Sequence, residues 1–235
     1  YLLIISIVIS IGLVLYFFRK NLNFYSKNSL LKKLTYLWLI QNAVLVISVA
    51  IRNWYYIEFY ALAYKRIAIV FFLIFVLVIL VTVYLKVAKI KSNFYLFRLN
   101  SYALILILIS STLFNWDRII ATYNFSKAQQ SFVHLNYLAT LSNSALPALN
   151  VPFNQLVKLD QKQMNHFVDI KLDSYDSGSS GFYRRNFMSP KAYKSLIWYR
   201  IKYFKQTWKQ KGWLSWNYAE QKAYDELITC DFDIS

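Results

Sequence analysis

Residues 67–84 read IAIVFFLIFVLVILVTVY, a run of eighteen residues without a charge or a glycine. A helix that crosses the hydrocarbon of a bilayer needs about 17–25 apolar residues, because each residue advances the helix by about 1.5 Å. A soluble surface helix of this length would carry polar residues along one face, whereas this run is apolar on every face. The stretch therefore predicts a membrane-spanning helix.

Outward from this run, three more apolar stretches predict spans, at about 1–18, 34–51 and 99–114. The hydrophobic share of the chain is 57%, whereas soluble domains have about 45–50%. The predicted fold class is all-α: an integral membrane helical bundle of about four spans in residues 1–114, then a small helical extramembrane C-terminal domain in residues 115–235. Since the chain begins inside an apolar run without Met, we expect a C-terminal piece of a longer polytopic protein.

Lysine and arginine are distributed unevenly over the loops between these spans. The loops 19–33 and 85–98 carry nine between them, whereas the loop 52–66 carries three. Short loops rich in these residues stay on the cytoplasmic side of a membrane, so four spans place the C-terminal tail on the extracytoplasmic side. The excess of Lys over Arg, 19 to 8, is typical of an AT-rich bacterial genome. We therefore expect a multi-pass protein of the bacterial cytoplasmic (inner) membrane.

The predicted spans contain no ionisable residue, and their most polar side chains are Gln41 and Asn42 in the second span. In lipid such amides usually form hydrogen bonds between helices. Packing between helices is therefore the favoured role, and a polar lining for a substrate path is the alternative. Proton and ion pathways usually place Asp, Glu, His or Lys at depth, which the predicted spans lack.

The loop between the second and third predicted spans, residues 52–66, is rich in aromatic residues. At helical spacing Arg52, Tyr56 and Tyr60 fall on one face, and Arg66 ends the segment. We expect an interfacial helix whose tyrosine rings lie among the lipid headgroups. Its arginine-flanked surface could instead hold a lipid phosphate, so these four residues are candidate interfacial or ligand-contact residues.

A second candidate site follows the fourth predicted span, where Asn115 can cap a new helical turn. Asp117 and Arg118 come directly after it, and Tyr123 and Asn124 lie further along the same segment. These side chains predict a hydrogen-bonded joint that holds the tail. A binding site at the outer mouth of the membrane domain is the alternative.

Three segments carry a resemblance to a known family. They read Arg52-x3-Tyr56-x3-Tyr60-Ala-Leu-Ala-x2-Arg66, Asn115-Trp-Asp-Arg-Ile-Ile-Ala-Thr-Tyr-Asn124 and Tyr137-Leu-Ala-Thr-Leu-Ser-Asn-Ser-Ala-Leu-Pro-Ala-Leu149. Together they resemble the bacterial polytopic membrane family catalogued as domain of unknown function 4173, related to 4153. The resemblance implies a multi-span membrane protein and supplies no activity and no catalytic residues. The family has Gly and Thr where this chain has Ala61 and Ala63, which weakens the expectation of a close backbone approach there.

The tail contains two predicted helices of opposite charge. Ser189-Pro190 is a typical helix start, and the basic amphipathic helix 190–211 ends at Gly212. The acidic helix 215–228 could fold back on it or bind a partner protein. Residues 184–211 hold nine Lys or Arg and no acid, which predicts attraction to an anionic leaflet; a tail outside the cell disfavours nucleic acid. The candidate partner or membrane surface comprises Lys194, Lys202, Lys205, Trp208, Trp216 and Leu227.

Between the joint and the basic helix, residues 133–150 predict an amphipathic helix that breaks near Ser142. Ser142 and Ser144 lack the Gly-x-Ser-x-Gly setting of a nucleophile, and His134 is the only base nearby. The polar segment 173–181 is predicted to be a linker.

Catalytic and cofactor chemistry is sparse in this sequence. It has one cysteine and two histidines, so we predict no catalytic residue, no metal ligand and no cofactor. We expect a non-enzymatic structural or regulatory subunit of a bacterial membrane complex, with the lipid bilayer and another membrane or periplasmic protein as partners. The alternatives are a transport or lipid-handling protein and an enzyme that acts on membrane substrates. A lipid-sized cavity among the second to fourth spans would favour lipid handling.

Overall fold

The computed structural model describes residues 29–166 and 188–229, together with four single residues near the N-terminus, Ile5, Ser6, Ile9 and Gly12. Every regular element in this part of the chain is a helix, which confirms the predicted all-α class for it. The predicted linker at 173–181 lies outside the described residues.

The chain divides into two compact units that are not continuous in sequence. The first unit comprises Tyr1–Tyr56 and Tyr64–Phe114, and the second comprises Ile57–Ala63 and Asn115–Ser235. The short segment Ile57–Ala63 therefore groups with the tail, although it lies in sequence between two helices of the first unit.

Three helices are long and apolar enough to cross a membrane: α1 (Ser29–Tyr60), α2 (Tyr64–Ala88) and α3 (Asn93–Thr112). Their lengths are 32, 25 and 20 residues, and a span needs about 20. The sequence predicted four spans, and the described residues contain three. The predicted span 1–18 lies outside them, apart from the four single helical residues.

The separate surface helix predicted at 52–66 is not present. Instead, α1 continues through Arg52 to Tyr60, and α2 begins at Tyr64. The prediction was wrong because it ended the span at the first charge, whereas a helix continues for as long as its backbone hydrogen bonds do. The two helices are separated by residues 61–63, where Ala61 has a left-handed φ of 62°.

An ionisable residue lies two positions beyond the third predicted span, because α2 continues past residue 84 to Ala88. Lys86 belongs to the last turn of α2 and is 3% exposed. Its Nζ donates to Oδ1 of Asn93 at the start of α3. One turn earlier, the Thr82 hydroxyl donates to Asn100 Oδ1 at 2.9 Å. The polar groups near this end of the helix pair are thus hydrogen-bonded to each other, as hydrocarbon surroundings require.

The first unit has a core along the line where its helices meet. Val46 and Val49 of α1 are buried in one cluster with Val76 and Leu80 of α2, and α3 adds Leu96. The rest of α3 is largely exposed, as are the outer faces of α1 and α2. Apolar helices exposed in this way belong in hydrocarbon, so the protein is membrane-embedded.

The described part of the second unit contains two 3₁₀ turns, Asn143–Ala145 and Trp213–Ser215, and the following α-helices: α4 (Trp116–Ser126), α5 (Leu135–Ala139), α6 (Leu146–Leu149), α7 (Phe153–His166), α8 (Pro190–Trp208) and α9 (Tyr218–Thr229). The short helix α6 is central, because α4, α8 and α9 all pack against it. Its Leu146 and Leu149 are fully buried.

The break predicted near Ser142 is present in the structure, because Ser142 is extended (φ −65°, ψ 169°) and separates α5 from the 3₁₀ turn and α6. Two other features of the tail differ from the sequence analysis. Gly212 does not cap the basic helix, which ends at Trp208 with Lys209 in a helical conformation. Helix α7 was not anticipated from the sequence.

The left-handed turn at Ala61 generates a stability prediction. This residue is 1% exposed, and a left-handed conformation costs an L-residue about 1–2 kcal/mol. Glycine would avoid this cost, but its greater freedom in the unfolded chain would offset about 0.5–1 kcal/mol of the gain. Glycine would also lose the buried methyl group of Ala61, worth about 0.8 kcal/mol, so we expect Ala61→Gly to change the free energy of unfolding by less than about 1 kcal/mol and Ala61→Val to lower it by about 3 kcal/mol. Thermal unfolding in detergent measures both changes, and an Ala61→Val variant as stable as the wild type would contradict the assigned turn.

Candidate functional site

The segment Ile57–Ala63 is held by the tail through the side chain of Asn124. The Asn124 Oδ1 accepts a hydrogen bond from the Leu62 backbone N–H at 2.7 Å, and its Nδ2 donates to the Leu62 carbonyl at 2.9 Å. Asn124 lies on α4 and is 2% exposed. One buried amide therefore satisfies both backbone groups of Leu62, directly after the left-handed Ala61.

The tail also caps the end of helix α1. The last carbonyls of a helix have no partner within the helix and must be satisfied from outside. The Ser131 hydroxyl donates to the Glu58 carbonyl at 2.5 Å, and the Phe132 N–H donates to the Phe59 carbonyl at 2.8 Å. We call these contacts, together with the Asn124–Leu62 pair, the helix-end grip.

Three other residues of the predicted joint, Asn115, Arg118 and Tyr123, lie on α4 or at its start and do not take part in the helix-end grip. The Asn115 Oδ1 caps α4 by accepting from the Arg118 N–H at 3.2 Å, and it also accepts from the Ser144 hydroxyl at 3.1 Å. The Arg118 guanidinium pairs with Glu226 of α9 at 2.8 Å. Tyr123 is half-buried on the same helix.

The predicted set Arg52, Tyr56, Tyr60 and Arg66 is divided between the two units. Arg52 and Tyr56 are exposed in the first unit, with the guanidinium 5.8 Å from the Tyr56 ring centroid. Arg66 is also in the first unit, and its carbonyl accepts from Asn53 Nδ2 at 3.3 Å. Tyr60 belongs to the second unit, where its ring lies 4.7 Å from that of Phe59.

The predicted intramembrane polar pair also separates. Asn42 is 1% exposed and donates from Nδ2 to the Trp38 carbonyl of its own helix at 2.9 Å. Gln41 is exposed on another face of α1. The two amides therefore do not share one polar surface.

A half-buried arginine that the sequence analysis missed organises the second unit. The guanidinium of Arg200 on α8 donates to the carbonyls of Ala139 and Leu141, both at 2.7 Å, and to Asn143 Oδ1 at 3.1 Å. These acceptors lie where α5 ends and the chain is extended. Burial lowers the pKa of Arg200, while Tyr193 and Asp117 raise it. The guanidinium N–H groups of Arg200 thus supply the donors that backbone N–H groups would supply in a continuous helix.

Two neighbouring donors on α8 act in the same way at the end of α6. The Tyr193 hydroxyl donates to the Leu149 carbonyl at 3.1 Å. Lys194 Nζ donates to Asn150 Oδ1 at 2.9 Å and to the Val151 carbonyl at 3.0 Å. Burial raises the pKa of Tyr193 and lowers that of Lys194.

Two residues predicted to form a partner or membrane surface are interior, since Trp208 is 8% exposed and Leu227 is 0% exposed. Lys194 is half-buried and binds the Asn150 side chain and the Val151 carbonyl. The prediction failed for them because the apolar face of α8 packs on α9 and α6 within the same unit. Lys202 and Trp216 are exposed, and Lys205 is half-buried.

An exposed aromatic segment connects α8 and α9. Residues 212–218, which we call the aromatic loop, read GWLSWNY. Trp213 is 84% exposed, and Leu214 is 82% exposed. A hollow of about 430 Å³ beside the loop is lined by Trp208, Lys211, Gly212, Trp213, Trp216 and Gln221.

The two serines and the histidine that come nearest to a catalytic group, Ser142, Ser144 and His134, form hydrogen bonds within the second unit. The Ser142 and Ser144 hydroxyls are 2.7 Å apart. His134 caps α5 by accepting the Tyr137 N–H at Nδ1, 3.3 Å away. In the described part of the chain, no three His, Cys, Asp or Glu side chains lie together where they could hold a metal ion.

A lipid-facing groove runs between α2 and α3 in the first unit. It has a volume of about 500 Å³, and the hydroxyl groups of Thr82 and Tyr102 are the polar side-chain groups on its walls. The other lining residues are Ile74, Leu77, Val78, Val81, Leu85, Leu99, Ala103 and Leu106.

Taken together, the membrane-length helices and the helix-end grip define a class: a helical membrane protein with a second helical unit that caps an end of one of those helices. The profile of the family described as Domain of unknown function (DUF4153) matches residues 1–150, more than half of the chain, and the chain belongs to this family. The resemblance to the family numbered 4173 stays a prediction. No curated protein matches the chain, and no solved structure does.

The sequence did contain a signal for Arg200. Tyr193, Ile197, Phe204 and Trp208 recur at helical spacing on one face of α8, and Arg200 lies on that face between Ile197 and Phe204. A cation on an apolar face indicates buried acceptors, because an unpaired buried charge is too costly to retain.

His134 generates a pH prediction. Burial lowers its pKa in the folded state, and its Nδ1 must be unprotonated to cap α5. The unfolded chain therefore binds the proton more readily, so stability falls as the pH drops through about 6.5, until folded His134 is also protonated. Melting curves between about pH 8 and pH 5.5 measure this loss.

The control is His134→Asn, because asparagine can cap a helix but does not titrate. We expect its Tm to change less with pH than that of the wild type, with His166 present in both proteins. Equal pH dependence in the two proteins would contradict the assignment to His134.

Proposed function

We propose that this protein is a non-enzymatic structural or regulatory subunit of a bacterial cytoplasmic-membrane complex, whose extracytoplasmic tail receives a partner. The observation that carries the proposal is the helix-end grip. The tail supplies the hydrogen bonds for the end of α1 and for the turn into α2. A partner that changes the tail would thereby change how this helix ends.

The grip is strong enough for such a role. It contains four hydrogen bonds between the tail and the segment Ile57–Ala63. Each contributes about 1 kcal/mol net, and leaving a buried partner unsatisfied costs about 1–3 kcal/mol. Coupling between sites in regulated proteins is typically about 1–3 kcal/mol, so breaking part of the grip is sufficient.

The proposed extracytoplasmic location of the tail rests on the distribution of basic residues in the sequence. Basic loops at 19–33 and 85–98 favour the cytoplasmic side, which leaves the tail outside. The partners that fit are the bilayer itself and another membrane or periplasmic protein. Nucleic acid does not fit this location.

Lipid handling is the second candidate, and the groove between α2 and α3 is the observation that favours it. A volume of about 500 Å³ with almost entirely apolar walls suits a hydrocarbon chain. The groove is open and lies on membrane-length helices, so a bilayer lipid can enter it without crossing water. The subunit proposal remains first because the grip is a built, fully hydrogen-bonded feature.

The grip is tested by two substitutions at Asn124. Asn124→Ala removes both bonds to Leu62, whereas Asn124→Asp keeps the acceptor and loses the donor. We expect destabilisation by about 2–3 kcal/mol for Ala, and a larger loss for Asp at neutral pH, because its buried carboxylate would face the Leu62 carbonyl. Hydrogen exchange should become faster at the Ile57–Tyr60 amides in both variants. Faster exchange confined to Leu62 would show that the grip does not control the end of α1.

The subunit role is tested with the same Ala variant in native membranes. After mild solubilisation the wild-type protein should migrate as a larger species than the purified protein, and Asn124→Ala should shift toward the purified position. Wild-type protein from native membranes that migrates with the purified protein would refute the role.

The topology is tested by Cys230, the single cysteine, which lies outside the described residues. A membrane-impermeant thiol reagent should label it in intact spheroplasts, because the tail is proposed to lie outside. A Cys230→Ser variant provides the background signal. If labelling requires lysis while the purified protein is labelled freely, the thiol lies either in the cytoplasm or under a partner protein. Labelling of Cys230 in inverted membrane vesicles would show that the tail is cytoplasmic.

A further inference from the structure

The aromatic loop exposes its large side chains to an unusual degree. Besides Trp213 and Leu214, Tyr218 is 71% exposed and Trp216 is 56% exposed. For comparison, Leu106 on the lipid-facing surface of α3 is 67% exposed. The loop thus presents apolar surface as openly as a membrane-length helix does. Contiguous exposed apolar surface on a folded domain marks an interaction site.

The local structure keeps these side chains exposed. Trp213–Ser215 form a 3₁₀ turn, and the Ser215 hydroxyl donates to the Gly212 carbonyl at 3.0 Å. The indole N–H of Trp216 donates to Gln221 Oε1 at 3.3 Å. The loop is therefore held in a defined shape with Trp213 and Leu214 at its tip.

The surroundings of the loop are basic. Residues 188–219 contain no Asp or Glu. The first acid, Glu220, pairs with Lys211 at 2.5 Å, and the Lys211 Nζ also lies 4.7 Å from the ring centroid of Trp208. Among the described residues, no carboxylate forms an ion pair with Lys202, Lys205 or Lys209, so their charges can attract an anionic surface.

We propose that the aromatic loop inserts into the headgroup region of an anionic phospholipid bilayer, the one in which the membrane-length helices lie. Trp and Tyr are the side chains that favour this region, because one end of each ring is apolar and the other forms hydrogen bonds. Lysines beside them are attracted to anionic headgroups. The covalent tether to α3 keeps that surface at high effective concentration. This surface is distinct from the helix-end grip, and its assignment does not rest on the subunit role.

A fluorescent label at the loop tip tests the proposal in the full chain. Leu214→Cys in a Cys230→Ser background places the environment-sensitive dye NBD at a side chain that is 82% exposed. The protein is reconstituted in phosphatidylethanolamine–phosphatidylglycerol vesicles. We expect blue-shifted emission, strong quenching by lipid with a doxyl group near the glycerol backbone, and protection from aqueous iodide.

Gln155→Cys, on the exposed polar face of α7, is the matched control and should be quenched by iodide only. A tip label quenched by iodide and not by doxyl lipid would overturn insertion. A tip label protected from both quenchers would also overturn it, and would indicate that protein, from a partner or a second copy, covers the loop.

The role of the lysines is tested in the same labelled protein. Lys205→Glu together with Lys209→Glu should reduce quenching by doxyl lipid in phosphatidylglycerol vesicles. In pure phosphatidylcholine vesicles the unmodified and doubly substituted proteins should be quenched alike. Quenching of the unmodified loop that does not depend on phosphatidylglycerol would overturn the anionic preference.

Discussion

The end of helix α1 imposes the constraint on which the rest of the second unit depends. A helix that stops leaves carbonyl groups without partners, and the chain must turn within three residues to begin α2. The left-handed Ala61 makes that turn, but the turn makes no regular backbone hydrogen bonds of its own. Asn124, Ser131 and Phe132 supply what is missing. The tail is therefore part of how this helix terminates.

A second set of unsatisfied carbonyls shapes the interior of the tail. The chain between Ala139 and Val151 is broken into short helical pieces, so many of its carbonyls have no partner within a helix. Helix α8 provides the donors from Arg200, Tyr193 and Lys194. The half-buried guanidinium of Arg200 is retained here because it donates to three acceptors. The basic character of α8 is thus partly structural.

The charged side chains at the surface of the second unit differ from those of Arg200 and Lys194, because they do not bind the carbonyls of the interior. Arg118 and Lys211 are paired with Glu226 and Glu220, which neutralises much of the acidic helix α9. The basic side chains left at the surface lie close in sequence to the aromatic loop. The tail consequently has one face that grips the segment Ile57–Ala63 and a separate surface suited to an anionic bilayer.

The sequence by itself determined the all-helical class, the membrane-length helices α1 to α3 and the caps at Asn115 and Ser189, because apolar run length and local side-chain capping depend on near neighbours only. It also indicated a joint in which Asn124 takes part. It could not determine that α1 runs past Arg52, that Ala61 turns left-handed, or that Arg200 binds the carbonyls where α5 ends. Those outcomes depend on which distant carbonyls need donors, and only the tertiary structure brings residues 62 and 124, or 139 and 200, within hydrogen-bonding distance.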